Sequence, residues 1–168
     1  MPLAYDRVLQ SLNEHKVEYL VLGATAAIAH GAPIATLDLD LFYRRSRENC
    51  KRLAGALQPF HPRPRGMDEK LPFTFDAATL FNGCNFTLTT DAGDVDLLGE
   101  IAGLGGYEQF VKNAVTLELF GHPALVMSLK DVIKAKKHAG RPKDLLHLIT
   151  LEATLRLIKA RKEKKPKS

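Results

Sequence analysis

The pattern of hydrophobic and polar positions predicts alternating helices and strands in the first part of the chain. Apolar residues recur near helical spacing through residues 4–16, which predicts an opening helix. The apolar run at residues 18–22 predicts a short buried strand, and Gly23 ends it. The alanine-rich residues 24–30 are compatible with a helix. The chain therefore begins with the predicted order helix, strand, helix.

Acidic and apolar side chains alternate over residues 38–43. This period of two predicts a strand, because neighbouring side chains in a strand point to opposite faces. Asp38 and Asp40 lie two positions apart and are therefore predicted to share one face. Ser46 then has the position of an N-cap for a helix that runs to about Gln58.

Prolines, glycines and caps divide the remainder of the chain. Residues 59–79 hold four prolines and are predicted to form a loop or lid. Strands at 85–90 and 95–98 are predicted to be joined by a hairpin turn at 91–94. The later predicted elements are a short helix near 107–112, strands at 115–120 and 123–127, a helix between Ser128 and about Gly140, and a last helix from Pro142.

This order predicts a mixed α/β fold of the α+β kind, with a small mixed sheet flanked by helices and followed by C-terminal helices. The length of 168 residues suits one domain. The formal net charge of +5 is concentrated at the end, where residues 156–168 carry seven Lys or Arg and one Glu. Residues 1–155 are predicted to form the domain. Residues 156–168 are predicted to form a flexible basic tail that either is simply solvated or attracts RNA.

The hydropathy of the chain also bears on its location. No apolar run approaches the roughly 20 residues that span a bilayer. The first residues lack the basic start and apolar core of a signal peptide. We therefore expect a cytoplasmic protein without a membrane partner.

Three carboxylates are candidates for a metal site. Asp38 and Asp40 share a strand face, and Asp96 lies inside an apolar strand, where a charged side chain needs a reason. Carboxylates that converge repel one another unless a cation lies among them, and such oxygen ligands suit Mg²⁺ or Mn²⁺. Asp91 and Asp94 are alternative third ligands in the predicted turn. The competing interpretation is a half-exposed strand whose acids face solvent.

The turn at Gly23 is a candidate phosphate site. A strand-to-helix turn brings backbone N–H groups and a helix N-terminus to one point, and Thr25 adds a hydroxyl. Any single turn of this kind has the same features. The combination is more informative, because Asp38 and Asp40 follow the glycine by 15 and 17 residues, after one helix and one turn.

The segment from Val21 to Tyr43, VLGATAAIAHGAPIATLDLDLFY, resembles the core of the DNA polymerase β-like nucleotidyltransferase superfamily. In that core a Gly-Gly or Gly-Ser pair opens a helix rich in small residues, and Thr-x-Asp-x-Asp follows on a strand. The matching pieces in this chain are Gly23-Ala24, Thr36-Leu-Asp38-Leu-Asp40 and, for the third carboxylate on a later strand, Val95-Asp96-Leu97.

The segment from Ser128 to Leu148, SLKDVIKAKKHAGRPKDLLHL, is similar to bacterial minimal nucleotidyltransferases, among them abortive-infection and toxin–antitoxin proteins. The resemblance implies that Lys136 and Arg141 contact phosphate. The alternative is that these cations only favour a helix C-terminus and a solvated turn. It also implies Mg²⁺- or Mn²⁺-dependent transfer of an NMP group from an NTP to a hydroxyl of RNA, protein or a small molecule, with Asp38, Asp40 and Asp96 as catalytic residues. A partner protein or a homodimer could provide the surface that binds the acceptor.

Two positions depart from the family pattern. Ala24 stands where many members have Gly or Ser, and Ile34 stands where many have Arg. Both changes remove groups that contact phosphate or stabilise the site. They favour a second hypothesis, a catalytically silent nucleotidyltransferase fold that binds a nucleotide or a partner protein. A third hypothesis is an RNA-binding module that acts through the basic tail.

Overall fold

The computed structural model describes residues 3–68 and 70–164. The helices are α1 (Tyr5–Glu14), α2 (Gly23–Ala29), α3 (Arg47–Leu57), α4 (Ala77–Asn82), α5 (Tyr107–Phe110), α6 (Leu129–Ala139) and α7 (Pro142–Glu163). The strands are β1 (Tyr19–Val21), β2 (Asp38–Tyr43), β3 (Arg63–Pro64), β4 (Asn85–Thr90), β5 (Gly93–Leu98), β6 (Glu100–Ile101), β7 (Gly105–Gly106), β8 (Val115–Leu119) and β9 (His122–Val126). Short 3₁₀ turns follow α3 at Gln58–Phe60 and α5 at Val111–Asn113.

Seven strands form one mixed sheet in the order β3-β4-β5-β2-β1-β9-β8. The pairs β2–β5 and β1–β9 are parallel, and the other neighbours are antiparallel. β6 and β7 form a separate antiparallel ribbon. The predicted fold class is therefore confirmed: a mixed sheet is flanked by helices, and two long helices close the chain.

The two central strands divide their side chains between the faces of the sheet. Leu39 and Leu41 of β2 and Val95 and Leu97 of β5 are fully buried and belong to one hydrophobic cluster with apolar residues of α1 and α3. The acids that alternate with them point to the opposite face. Burial of the apolar row therefore determines which face the acids take.

The C-terminal helices pack beside the acidic face of β2. α2 packs against β2 and α6, and α6 packs along α7. Ser128 caps α6 by accepting a hydrogen bond from the backbone N–H of Asp131 at 3.2 Å, and Gly140 ends the helix with φ at 62°. Pro142 opens α7, as predicted from its fixed φ.

Three local predictions differ from the structure. The predicted loop at 59–79 contains β3, which pairs as an edge strand, a position that tolerates proline. β5 begins at Gly93, so the hairpin turn ends at Ala92 and Asp94 belongs to the strand. α7 continues to Glu163, well into the segment assigned to the basic tail, whose last four residues lie outside the described part. None of the helices in residues 3–68 and 70–164 contains an apolar stretch of the length that spanning a bilayer requires.

Asn49 of α3 ties this helix to the ends of β1 and β2. Its side chain is buried, and its Oδ1 accepts a hydrogen bond from the Glu18 N–H at 2.7 Å. Its Nδ2 donates to the carbonyl oxygens of Glu18 at 2.9 Å and Arg44 at 2.8 Å. One amide thus satisfies three backbone groups at the end of the strand that carries the first two acids.

Replacing Asn49 by Ala should lower the free energy of unfolding by about 2–4 kcal/mol, because three hydrogen bonds at buried groups are lost together. Urea denaturation measures this change. Gln10→Ala is the matched control: it removes an exposed hydrogen bond to Glu14 and should cost less than about 0.5 kcal/mol. Equal stability of the two variants would show that water replaces the Asn49 amide.

Candidate active site

The pairing of β2 with β5 brings three carboxylates together. In this parallel register Asp40 lies opposite Asp96, and Asp38 lies opposite Asp94. One oxygen from each of Asp38, Asp40 and Asp96 lies within 4.8 Å of the other two, and all three residues are half-buried. Hard cations take oxygen ligands, so this donor set fits a divalent cation.

The two alternative third ligands make other contacts. Asp91 lies in the turn and pairs with His61, with Oδ2 2.6 Å from Nδ1. Asp94 accepts a hydrogen bond from the Thr89 hydroxyl at 3.0 Å. The acid chosen from its place within an apolar strand, Asp96, is the one that joins the cluster.

Two threonines hold Asp38 in position. The hydroxyl of Thr36 donates to the Asp38 carboxylate. The hydroxyl of Thr25, which is buried, donates to the Asp38 carbonyl oxygen at 3.1 Å and so links α2 to β2. This hydroxyl therefore donates its proton inside the fold and not toward a phosphate. The contact of Thr25 with phosphate stays a prediction.

Gly23 allows the first turn of α2 to approach Asp40. Its φ is +65°, and a Cβ atom built on it would lie 1.9 Å from Asp40 Oδ2. The backbone of Ala24 forms a hydrogen bond with the same carboxylate. The turn that was predicted to contact phosphate therefore also holds a candidate metal ligand, and only glycine leaves the carboxylate enough room.

Asp40 has an unusual tendency to keep its proton. Burial, followed by the charges of Asp38 and Asp96, raises the pKa of Asp40 to about 7. The charge of Lys136 and the hydrogen bond from Ala24 act in the opposite direction. Near neutral pH, a cation that binds here competes with a proton on Asp40.

Arg65 supplies a counter-charge from the loop that follows β3. Its Nη2 lies 2.7 Å from Asp96 Oδ1, and its Nε lies 3.1 Å from Asp94 Oδ2. Nη2 also donates to the Leu88 carbonyl oxygen at 3.2 Å, which fixes the guanidinium against β4. Burial raises the pKa of Asp96, and the charge of Arg65 opposes that change.

A cavity of about 370 Å³ opens beside the three acids. Cations from α6 and from the start of α7 also line it, including Lys136, Arg141 and Lys143. Its apolar lining includes Leu22, Leu98, Ile101, Met127 and Val132. One cavity therefore combines an acidic group suited to metal, a basic group suited to phosphate and apolar surface.

Asp144 organises the basic group. It is fully buried, and its Oδ1 accepts a hydrogen bond from Lys136 Nζ at 3.0 Å while its Oδ2 accepts one from Arg141 Nε at 2.6 Å. Although burial acts to raise the pKa of Asp144, the hydrogen bonds from Arg141 and Lys136 lower it. His147 Nδ1 lies 3.5 Å from Lys136 Nζ. Asp144 lies in the first turn of α7, where an acid is favoured by the helix dipole, and it is also the shared counter-ion of two predicted site residues.

Neither the family models nor the curated proteins contain a match to this sequence. Solved structures do match. A protein of Thermotoga maritima that is assigned as a nucleotidyltransferase is 19% identical, with 95% of this chain and 94% of that chain covered and a TM-score of 0.55. The enzyme ANT(2″)-Ia, in complex with adenylyl-2″-tobramycin, is 14% identical, with 90% and 87% covered and a TM-score of 0.59. This chain has a nucleotidyltransferase fold.

A solution structure of the antibiotic-resistance factor ANT(2″)-Ia gives the same result, with 12% identity, 95% of this chain and 91% of that chain covered, and a TM-score of 0.57. All three alignments cover nearly the whole length of both chains. The likeness therefore concerns the whole nucleotidyltransferase fold and not only the segment around the acidic strand.

The structure brings most of the predicted site residues of this nucleotidyltransferase fold to one place. Eight of the nine line the cavity: Gly23, Ala24, Thr36, Asp38, Asp40, Asp96, Lys136 and Arg141. The ninth, Thr25, is buried and does not line the cavity. Arg65, Asp144 and His147 were not predicted as site residues. For Asp144 a signal was available in the sequence: it follows Lys136 by eight positions, across the turn that joins α6 and α7. Arg65 lies in a proline-rich segment whose pattern gave none.

Replacing Gly23 by Ala should weaken Mn²⁺ binding at least about tenfold and lower the free energy of unfolding by about 2–4 kcal/mol, because the methyl group displaces the Asp40 carboxylate. Calorimetry and urea denaturation measure the two effects. Gly31→Ala is the control: Gly31 has φ at +91°, but no atom lies within 4 Å of its added Cβ. It should cost only the backbone strain of about 1–2 kcal/mol and should leave Mn²⁺ binding intact. Equal Mn²⁺ binding by both variants would contradict the close approach.

The stability of the metal-free protein should fall as pH rises from about 4 to about 7. The folded protein keeps a proton on Asp40 until its pKa of about 7, whereas the unfolded chain releases it near 3.8. Each unit of difference is worth about 1.4 kcal/mol, and a loss of about 2–4 kcal/mol is expected. Urea denaturation across this range measures it.

Asp40→Asn is the control for the pH effect, because it keeps the shape of the side chain and removes the titration. Its stability should vary much less over the same range. Saturating Mn²⁺ should also reverse the loss for the unchanged protein at pH 7, since the cation replaces the proton. If stability changes with pH to the same extent in the unchanged protein and in Asp40→Asn, Asp40 is already ionised below pH 5.

Proposed function

We propose that this protein is a metal-dependent nucleotidyltransferase that moves an NMP group from an NTP to a hydroxyl of an acceptor. The observation that carries the proposal is the convergence of Asp38, Asp40 and Asp96 at a cavity that Lys136 and Arg141 also line. Phosphoryl transfer chemistry needs metal ligands and phosphate-binding cations in one place. The whole-length likeness to nucleotidyltransferases supports the same assignment.

The acids take distinct roles in this proposal. Asp38 and Asp40 would hold Mg²⁺ or Mn²⁺, and Asp96 would complete the ligand set. An ion bound there would neutralise charge on the triphosphate and lower the pKa of the acceptor hydroxyl. Thr36 keeps the Asp38 carboxylate oriented, and Gly23 leaves space for that of Asp40.

Asp96 is assigned as the base for the acceptor. It accepts the hydroxyl proton while the hydroxyl oxygen forms a bond to the α-phosphorus, and the bond from that phosphorus to the pyrophosphate oxygen breaks. Pyrophosphate leaves with the electron pair of that bond. Because Arg65 contacts Oδ1 of Asp96, we assign the proton to Oδ2.

The basic group is assigned to the donor phosphates. Asp144 holds Lys136 and Arg141 by hydrogen bonds, so their positions are set before a nucleotide binds. Positioned cations stabilise charge that moves to the leaving pyrophosphate. Gly23 and Ala24 line the same cavity; we assign the backbone of Gly23 to the phosphates as well, since the backbone of Ala24 already bonds to the Asp40 carboxylate.

The acceptor belongs to one of three proposed classes: RNA, a protein hydroxyl or a small molecule. ANT(2″)-Ia was solved with adenylyl-2″-tobramycin, so a small molecule carries the adenylyl group in that complex. A partner protein or a second copy of this chain would enlarge the acceptor surface. A cytoplasmic location stays a prediction from the sequence.

A second candidate function is binding without transfer, as in a silent nucleotidyltransferase fold paired with a partner of the toxin–antitoxin type. The contact between Arg65 and Asp96 favours it, because a guanidinium already neutralises the assigned base. Position 24 is Ala instead of Gly or Ser, and position 34 is Ile instead of Arg. Both departures from the family pattern also favour the silent fold. RNA binding through the basic tail is a weaker proposal, since residues 1–155 carry 17 Lys or Arg against 18 Asp or Glu and so add no net attraction for RNA.

The acid variants test the main proposal. Asp38→Asn and Asp40→Asn should each lower transfer of label from α-³²P-labelled NTP at least about 100-fold, because metal stabilisation of the transition state is worth several kcal/mol. Each NTP is incubated with Mg²⁺ or Mn²⁺ and with RNA, protein or small-molecule fractions. Asp91→Asn is the matched control, since Asp91 lies outside the cluster and should keep full activity.

The outcomes separate the two candidates. Transfer that depends on Asp38 and Asp40 establishes the enzyme and reveals the class of acceptor. Nucleotide binding in calorimetry without transfer by the unchanged protein would instead support the silent fold. Full transfer by Asp38→Asn would refute the site assignment, provided that circular dichroism shows the variant to be folded.

A further inference from the structure

Helix α7 is apolar on two opposite faces. One face packs against the domain through the buried Leu151 and Thr154 and through the partly buried Leu148, Leu155 and Ile158. The opposite face is exposed and still carries large apolar side chains: Leu145 is 54% exposed, Leu146 74%, Ile149 74% and Leu157 62%. A helix with one buried face normally presents polar residues on the other. Exposed apolar surface of this extent marks an interaction site.

The exposed residues follow the spacing of a helix-packing seam. We define the α7 stripe as Leu146, Ile149, Ala153, Leu157 and Ala160, of which Ala153 is half-buried and the other four are exposed. Steps of three and four residues place these side chains in one row along the helix. Large side chains alternate with the two alanines, which leaves depressions between the projections. Such alternation accepts the side chains of a facing helix.

The charge beside the α7 stripe is mainly positive. With about 100° of rotation per residue, Arg156 and Arg161 lie along the two edges of the stripe, whereas Lys159 and Lys162 lie toward the packed face of the helix. Among the acids of α7, Asp144 is buried, Glu152 pairs with Lys137 at 2.6 Å, and Glu163 lies near the stripe only at the last residue of the helix. A complementary surface must therefore supply apolar side chains and negative charge together.

We propose that the α7 stripe binds an acidic amphipathic helix of a partner protein. A second copy of this chain fits less well, because pairing two stripes would bring two basic helices together without acids to match them. A lipid surface also fits less well. Membrane-bound helices use bulky and aromatic side chains on their apolar face, whereas this stripe has alanine at two of five positions and no aromatic residue.

The α7 stripe and the cavity lie on opposite sides of α7. Leu146 follows Asp144 by two residues, and side chains at this spacing point to opposite faces of a helix. Asp144 is buried and lines the cavity, whereas Leu146 is exposed, so a helix bound along the stripe would lie on the side of α7 that faces away from the cavity. This inference does not rest on the proposed transfer reaction, because it depends on a surface and not on the acids.

A pair of designed peptides tests the proposal on the full chain. Both peptides are amphipathic helices with Leu at heptad positions a and d; one carries Glu at e and g, and the other carries Lys there. Fluorescence anisotropy measures their binding. The Glu peptide should bind, and the Lys peptide should bind at least about tenfold more weakly.

Three variants locate the binding surface. Ile149→Gln combined with Leu157→Gln should weaken binding of the Glu peptide at least about tenfold, and glutamine preserves helix propensity. Arg156→Glu combined with Arg161→Glu should reverse the preference toward the Lys peptide, because these two cations lie along the edges of the stripe. Leu71→Gln is the control, since Leu71 is an exposed apolar residue in the loop after β3 and should bind like the unchanged protein. Circular dichroism verifies that each variant is folded.

Four results would overturn the proposal. The first two are equal binding of both peptides and no binding of either peptide. The third is dimerisation that depends on concentration in analytical sedimentation and that the double variant Ile149→Gln, Leu157→Gln abolishes. The fourth is cosedimentation with vesicles of phosphatidylcholine and phosphatidylglycerol. The third result would assign the stripe to a second copy of this chain, and the fourth would assign it to a lipid surface.

Discussion

Three carboxylates lie within 4.8 Å of one another on one face of the sheet, and their mutual repulsion opposes the folded state. The surrounding structure offsets this repulsion with charge and hydrogen bonds. Arg65 contacts one acid, Lys136 acts on a second through its charge, and Thr36 donates to the third. Much of what is particular about this domain, including a glycine turn and a buried ion pair, serves to keep these acids together.

The sequence predicts those residues of the site whose signals come from adjacent positions in the chain, such as alternation along a strand or a helix cap. Alternation along residues 38–43 identified the strand and its acidic face, and an acid inside an apolar strand identified Asp96. The cap at Ser128 and the proline at 142 located the last helices. Each of these signals depends on neighbours in the chain, and for that reason each could be recognised without a structure.

The parts that sequence did not predict depend on contacts between distant segments. Arg65 reaches Asp96 across 31 positions, through an edge strand of two residues inside a proline-rich stretch. The use of the Thr25 hydroxyl inside the fold became visible only when α2 and β2 were placed side by side. Asp144 had a clear local explanation as a helix acid, and this concealed its second role as the partner of Lys136 and Arg141.

The parallel register of β2 and β5 has a consequence for how this site can change over time. The same alternation that turns the acids toward the cavity turns leucine and valine into the core, so the two rows share one alignment. Inserting or deleting one residue in either strand would bury acids and expose the apolar row at once. Lineages of this protein can therefore alter the site by exchanging single side chains or by lengthening the outer loops, whereas a change of length within these two strands would be eliminated by selection for folding.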